Sequence, residues 1–298
     1  MKTKHILYTV VILSTIIPVN AAQETLDVGA NPESLTRGFD GKFFISMMGE
    51  TRTEGDGNGG ILMMDGRELT PFCDGMDDPK GIVMMGGFLV TTDFRKIWKI
   101  DKEGKKEVLA GPDAFPHPPL FLNDVALAPD GKSVLVTDMG ARDKMADAEG
   151  KLWPPDSEEA KALPAVGRVY RITLDGKVTE VITANPEMPC PNGVDILADG
   201  TVRVAEFFSG KILERDGEKW KTIATGHRSA DAIVHDSKGR FYVSEVKTGR
   251  VTRYEADGTG QTELGEGLES AADMIVDEKS GKLIIPDTKA GKLVFIDL

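Results

Sequence analysis

The sequence predicts an all-β fold, a six-bladed β-propeller closed by pairing its two ends, on three observations. One pattern recurs six times: a polar residue, a short apolar run, a glycine-containing turn and a second apolar run. The polar positions Glu33, Lys80, Asn123, Asn192, Asp231 and Asp273 are separated by 47, 43, 69, 39 and 42 residues, room for four short strands each. The last unit supplies three strands, over 274–277, 282–286 and 291–297, before the sequence stops at Leu298. Residues 24–28 precede the first unit and belong to no other. Open sheet edges invite association, so 24–28 is expected to pair beside 291–297 as the outer strand of the sixth blade.

At the amino-terminal end, Met1-Lys2-Thr3-Lys4 is basic, residues 6–18 are almost wholly apolar, and Val19-Asn20-Ala21 offers small residues for cleavage. This three-part pattern reads as a secretory signal peptide over 1–21, too short and wrongly flanked to span a membrane. The expected mature protein is a single domain over 22–298, soluble and exported, hence periplasmic or secreted. The formal net charge of −12 becomes more negative once Lys2 and Lys4 are removed. Such a surface disfavours nucleic acid and anionic membrane as partners and suits cation binding. A small molecule is the expected partner.

The units follow in order. Asn31-Pro32-Glu33-Ser34-Leu35 leads through Asp40-Gly41 to Phe43-Phe44-Ile45-Ser46, and Pro79-Lys80-Gly81-Ile82 through Gly86-Gly87 to Leu89-Val90-Thr91-Thr92-Asp93. The clearest hairpin is the third, where Phe121-Leu122-Asn123-Asp124 precedes Pro129-Asp130-Gly131; glycine there takes positive φ at no steric cost. Cys190-Pro191-Asn192-Gly193, Ser229-Ala230-Asp231-Ala232 and Ala272-Asp273-Met274 open the remaining three. Cys73 and Cys190 precede the second and fourth units, well apart around a ring, and read as two free thiols.

If the six polar positions start the inner strands, they mark one end of the ring, here called the top. Three long segments fall on that end: residues 49–60, the Pro-rich stretch from Gly111 to Leu120 containing His117, and an insertion at 139–166. Setting that insertion aside returns the 69-residue interval to the common period. Long loops gathered on one end of a rigid scaffold mark its working side.

Six strand starts converge on one channel. Glu33, Asn123, Asn192 and Asp231 are oxygen donors, two carboxylates and two amides, which suit calcium or another hard divalent cation better than zinc. Taken singly, Asp and Asn at strand starts commonly satisfy backbone donors. Four convergent oxygens need a partner when buried. Asp273 is a fifth candidate, Lys80 adds a cation near the rim, and His117 is a candidate proton shuttle. The acids ending the second strands, Asp93, Asp138, Glu206, Glu245 and Asp287, read as caps of the turns that follow.

The segments Pro32-Glu33, Asn123-Asp124, Pro191-Asn192-Gly193 and Ala230-Asp231 resemble the gluconolactonase, senescence-marker-protein and luciferin-regenerating-enzyme family, whose fold is a six-bladed propeller. The resemblance implies a calcium ion held by Glu33, Asn192 and Asp231, with Asn123 as a further ligand or substrate contact. Diisopropyl fluorophosphatase is a more distant relative in arrangement, with a carboxylate at the Asp231 position proposed as nucleophile. Glu33-Ser34-Leu35 replaces the family's usual Glu-Gly-Pro, and Asp231-Ala232 its Asp-Gly. Sugar-lactonase members carry a substrate-contacting arginine two residues before the Asn-Asp pair, where this sequence has Phe121. The expected activity is a calcium-dependent hydrolase opening a lactone or similar cyclic ester, with Asp231 and Asn123 in catalytic roles and Lys80, Phe121, His117 and Asp273 near the substrate. The alternatives are a non-catalytic binding propeller with a structural calcium, and a lyase or phosphotriesterase on the same scaffold.

Overall fold

The computed structural model describes residues 22–217 and 219–298, and the signal peptide read at 1–21 lies outside them. Among the described residues, six four-stranded antiparallel sheets form the blades of a propeller. Five are built from consecutive strands, opening with Pro32–Arg37, Pro79–Met85, Leu122–Leu127, Pro191–Ile196 and Ala230–His235. The sixth joins Ile275–Asp277, Lys282–Asp287 and Lys292–Asp297 to Gln23–Asp27 as its outermost strand, in the register Gln23 to Ile296 through Asp27 to Lys292. The two ends thus close the ring in one blade, as the missing fourth strand required. No helix among the described residues is long and apolar enough to cross a membrane.

The hydrophobic core is divided among the wedges between neighbouring blades. Val90 and Ile97 of blade two pack on Val134 and Tyr170 of blade three. Leu35, Ile45 and Met64 of blade one meet Ile284 and Leu293 of blade six. Alternation along each strand makes this possible, because residues of one parity face one neighbouring blade and those of the other parity face the opposite one.

Near the axis the inner strands depart from regular pairing at the positions that matter. The register shifts between Pro32 and Ser34, Pro79 and Ile82, Leu122 and Val125, Pro191 and Val194, and Ala230 and Ile233. Each irregularity contains the repeated polar residue, freeing Glu33, Lys80, Asn123, Asn192 and Asp231 from the ladder so that they turn toward the channel. Adjacent inner strands approach closely there. A Cβ on Gly193 would lie 2.5 Å from the Asp231 carbonyl oxygen, and one on Gly81 2.6 Å from the Val125 nitrogen, so only glycine fits.

Hydroxyls on or directly after the second strands stitch blade to blade. Thr137 Oγ1 donates to the Asn192 carbonyl at 2.7 Å, Ser244 Oγ to that of Ala272 at 2.8 Å, and Thr288 Oγ1 to that of Pro32 at 2.8 Å; Thr92 does the same to Asn123. Cys73 and Cys190 are both free, Cys190 fully buried and Cys73 on the outer strand of blade one.

Candidate active site

A cavity of about 760 Å³ opens at the top of the channel. Its floor carries Glu33, Lys80, Asn123, Asn192 and Asp231, all buried, each from the start of a different inner strand. Its wall is largely the insertion: Met139, Arg142, Met145, Asp147 and Leu152 line it. The insertion is anchored across the ring, since Arg228 Nη2 donates to the Trp153 carbonyl at 2.7 Å and Lys247 Nζ to that of Gly150 at 2.7 Å. Its apolar side chains, Leu152, Trp153 and Leu163 among them, pack on Phe121, Cys190, Phe207 and Phe208. Arg52, from the 49–60 loop, adds to the rim. The stretch from Gly111 to Leu120 contributes nothing to the lining.

Second-strand acids hold the floor residues in place from behind. Asp93 accepts from the backbone N–H groups of Asp77 and Asp78, Asp138 from Leu120 and Phe121, Glu206 from Cys190, and Asp287 from Glu269 and Ser270. In blades two, three and four these residues stand just ahead of the inner strand. Three of the acids also bond the turn that follows them, through the N–H groups of Gly140, Ser209 and Ala290. Each of these three carboxylates therefore clamps two loops at the top of its blade.

The floor is strongly polar and shielded from solvent. Asn192 Nδ2 donates to Asp231 Oδ1 at 2.7 Å, and Asn123 Nδ2 lies 3.5 Å from the Met139 sulfur. Burial, with the Asp273 charge behind it, pushes the Asp231 carboxyl up to about 7. Glu33 is raised well above the carboxylate range by burial and by the charges of Asp231, Asp273 and Asp124, against the pull of Lys80. The Lys80 ammonium stands 5.4 Å from the centre of the Phe121 ring, and the Arg142 guanidinium 4.2 Å from the same centre. A cation thus lies beside Phe121 after all, delivered by the insertion.

Two residues expected at the site do not join it. Asp273 lies below the floor, accepting from the Ser34 hydroxyl, while its own N–H donates to the Glu33 carbonyl at 3.0 Å. The inner strand of blade six begins only at Ile275 and runs in regular register, so nothing turns Asp273 into the cavity. Asp124 shares that buried layer, bonded to the N–H groups of Val125 and Val194 at 2.6 and 2.7 Å. His117 sits outside the channel. Its side chain is 54% exposed with Nε2 3.8 Å from Glu180, and its carbonyl is fixed by the Tyr170 hydroxyl at 3.0 Å. Phe115 packing edge-on against Tyr170 holds the whole stretch to the side of blade three.

Sequence reading passed over Asp78, Met48 and Arg142, all of which line the cavity. The register of the repeat contained the signal for the first: Asp78 precedes Lys80 by two residues, as Phe121 precedes Asn123. Met48 and Arg142 follow the second strands of blades one and three, where no repeat pattern constrains the residue.

A cation fits the donor set. Among the described residues no group of three or more His, Cys, Asp or Glu side chains is arranged for a metal. The set here has two carboxylates and two amides, and hard ions accept amide oxygens equally. Glu33 Oε2 is buried without a hydrogen-bond partner. Glu33 and Asp231 repel each other, a cost that a divalent ion between them removes. Turning the Asn192 amide over would present its oxygen in place of its NH₂ group.

Comparison with known proteins bears on the fold and the site together. The family model described as SMP-30/Gluconolactonase/LRE-like region matches residues 76–265. Among solved structures, the chain is similar to a gluconolactonase from Xanthomonas campestris, with 20% identity and a TM-score of 0.72, covering 94% of this chain and 90% of that one. It is also similar to a structural-genomics target provisionally assigned as a gluconolactonase, with 18% identity and a TM-score of 0.64 over 95% and 93% of the two chains. A virginiamycin B lyase from Staphylococcus aureus, crystallised as an inactive variant with quinupristin, shares 14% identity and a TM-score of 0.58 over 93% and 99%. At these identities the likeness is one of fold. No functionally curated protein matches by sequence.

Proposed function

The chain belongs to the SMP-30/gluconolactonase/LRE-like family, and from that premise we propose that it is an exported, calcium-dependent hydrolase opening a small cyclic ester at the top of the channel. The single observation that carries this reading is the floor itself. Glu33, Asn123, Asn192 and Asp231 meet in one buried cavity, with a carboxylate oxygen left unpartnered beside a second carboxylate.

Glu33, Asn192 and Asp231, with Asn123, would hold the ion. When bound it supplies Lewis acidity, polarising the ester carbonyl and stabilising the oxyanion that develops. The rest falls to the chain's own side chains. Asp231 Oδ accepts the proton of the attacking water. Asn123 orients the ester against the floor. Phe121, Met139 and Leu152 present an apolar wall to the ring carbons, and the insertion limits solvent access. A small ligand matches the cavity, whose volume lies within the range of small-molecule sites.

A panel of five- and six-membered lactones, assayed by acid release with calcium and with excess chelator, tests the reading. The expected outcome is ring opening that calcium supports and chelator abolishes. Opening of no lactone, or opening indifferent to chelator, overturns it in favour of a binding propeller.

A further inference from the structure

One pair of side chains on the cavity floor has no part in holding a cation or activating water. Asp78 and Lys80 flank Pro79 at the start of blade two's inner strand, and both line the cavity. Asp78 is 1% exposed, and neither of its carboxylate oxygens has a hydrogen-bond partner among the described residues. Its backbone N–H is fixed by Asp93 at 2.8 Å, so the side chain has a defined origin. Lys80 is 6% exposed. Its Nζ lies 3.4 Å from Asp78 and 2.9 Å from the Met48 sulfur.

A thioether is a weak acceptor, and an ammonium carries three donors. Buried donors are ordinarily satisfied, so this one is poised for an acceptor arriving in the cavity. The other cations of the lining differ. Arg52, Lys247 and Lys289 are exposed on the rim, Lys247 already bonded to the Gly150 carbonyl, and a guanidinium such as that of Arg142 does not give up its proton. His117, the candidate shuttle of the sequence, lies outside the channel. Ring opening nevertheless needs a proton for the oxygen that departs.

We propose that Lys80 is the proton donor to the ring oxygen of the cyclic ester, and that Asp78 is the positioning residue that holds its ammonium toward the reacting bond. The inference rests on the lactone-opening reading above. Water oxygen bonds to the carbonyl carbon while Asp231 takes the water proton. The bond from that carbon to the ring oxygen then breaks, its electron pair stays on oxygen, and Lys80 Nζ–H delivers a proton there. The new carboxylic acid returns a proton to the Lys80 amine, and Asp231 releases its own to solvent. Ester and water thus yield a carboxylate, a hydroxyl and one free proton.

Two lactones with different leaving oxygens separate this role from a structural one. δ-Valerolactone departs as an alkoxide, which needs the proton; dihydrocoumarin departs as a phenoxide, which scarcely does. In calcium, Lys80→Met should lower kcat/KM for δ-valerolactone by about 100-fold and for dihydrocoumarin by less than about threefold. Asp78→Asn should show the same selectivity with a loss of about tenfold. Removing Lys80 alone strands a buried carboxylate, so the double variant Lys80→Met/Asp78→Asn is measured beside it and decides the matter if the single variant does not fold. An equal loss on both lactones, or none, overturns the assignment while leaving the hydrolase reading intact. Failure of the wild type to open either lactone overturns both.

Discussion

Removing the charge of Asp231 should stabilise the protein in the absence of calcium. Its carboxyl is pushed from the ordinary 3.8 up to about 7, chiefly by burial and then by the Asp273 charge. Between those two values the folded state holds a proton that the unfolded chain has lost. Stability therefore falls as pH rises from the lower value to the upper, and above the upper value the full penalty is present. That penalty amounts to about 4 kcal/mol. Asp231→Asn keeps the shape and can still accept from Asn192, so in excess chelator at pH 8 it should melt about 5–10 °C above the wild type. The gain should shrink toward zero at about pH 3 and below, where the wild-type carboxyl is protonated in either state. Calcium should reverse the order, because an ion that binds the folded state raises its stability as free concentration increases, and the variant has lost a charged ligand. Circular dichroism melts in chelator and in calcium at both pH values supply the four comparisons. A variant melting below the wild type in chelator at pH 8 would refute the picture of mutually repelling, desolvated carboxylates.

Two further substitutions probe how the floor is held. Thr137→Val deletes the donor to the Asn192 carbonyl and the acceptor of the Asp124 N–H, both buried; it should cost about 1–3 kcal/mol and blunt the calcium response in the same melts. Gly193→Ala puts a methyl 2.5 Å from the Asp231 carbonyl oxygen. Separation of blades four and five should then cost about 3 kcal/mol and weaken calcium binding by calorimetry; an unchanged affinity would show that the close approach does not set the site.

The ring was legible because its cause is local: a strand, a glycine turn and a strand, spaced to leave one strand short at the end. Even the partner of Gln23–Asp27 followed from that shortfall. The floor was legible to the extent that the register shift recurs, which put Glu33, Lys80, Asn123, Asn192 and Asp231 in one cavity. Asp273 shows the limit of that logic. It shares the repeat position but not the irregular backbone, and equivalence in sequence became a second layer in space. His117 misled because a loop between blades can follow the outer wall as readily as the mouth, a choice made by Phe115 on Tyr170. Arg142 and Met48 were illegible for the complementary reason that non-repeating loops carry no register.

The measurement that bears most directly on the whole account is the anomalous difference density of crystals grown in calcium. The account predicts one strong peak on the channel axis, with oxygens of Glu33, Asn123, Asn192 and Asp231 at about 2.3–2.6 Å, and its loss in the Asp231→Asn crystal. No peak in the cavity, or a peak held by Asp124 and Asp273 in the layer beneath, would contradict it.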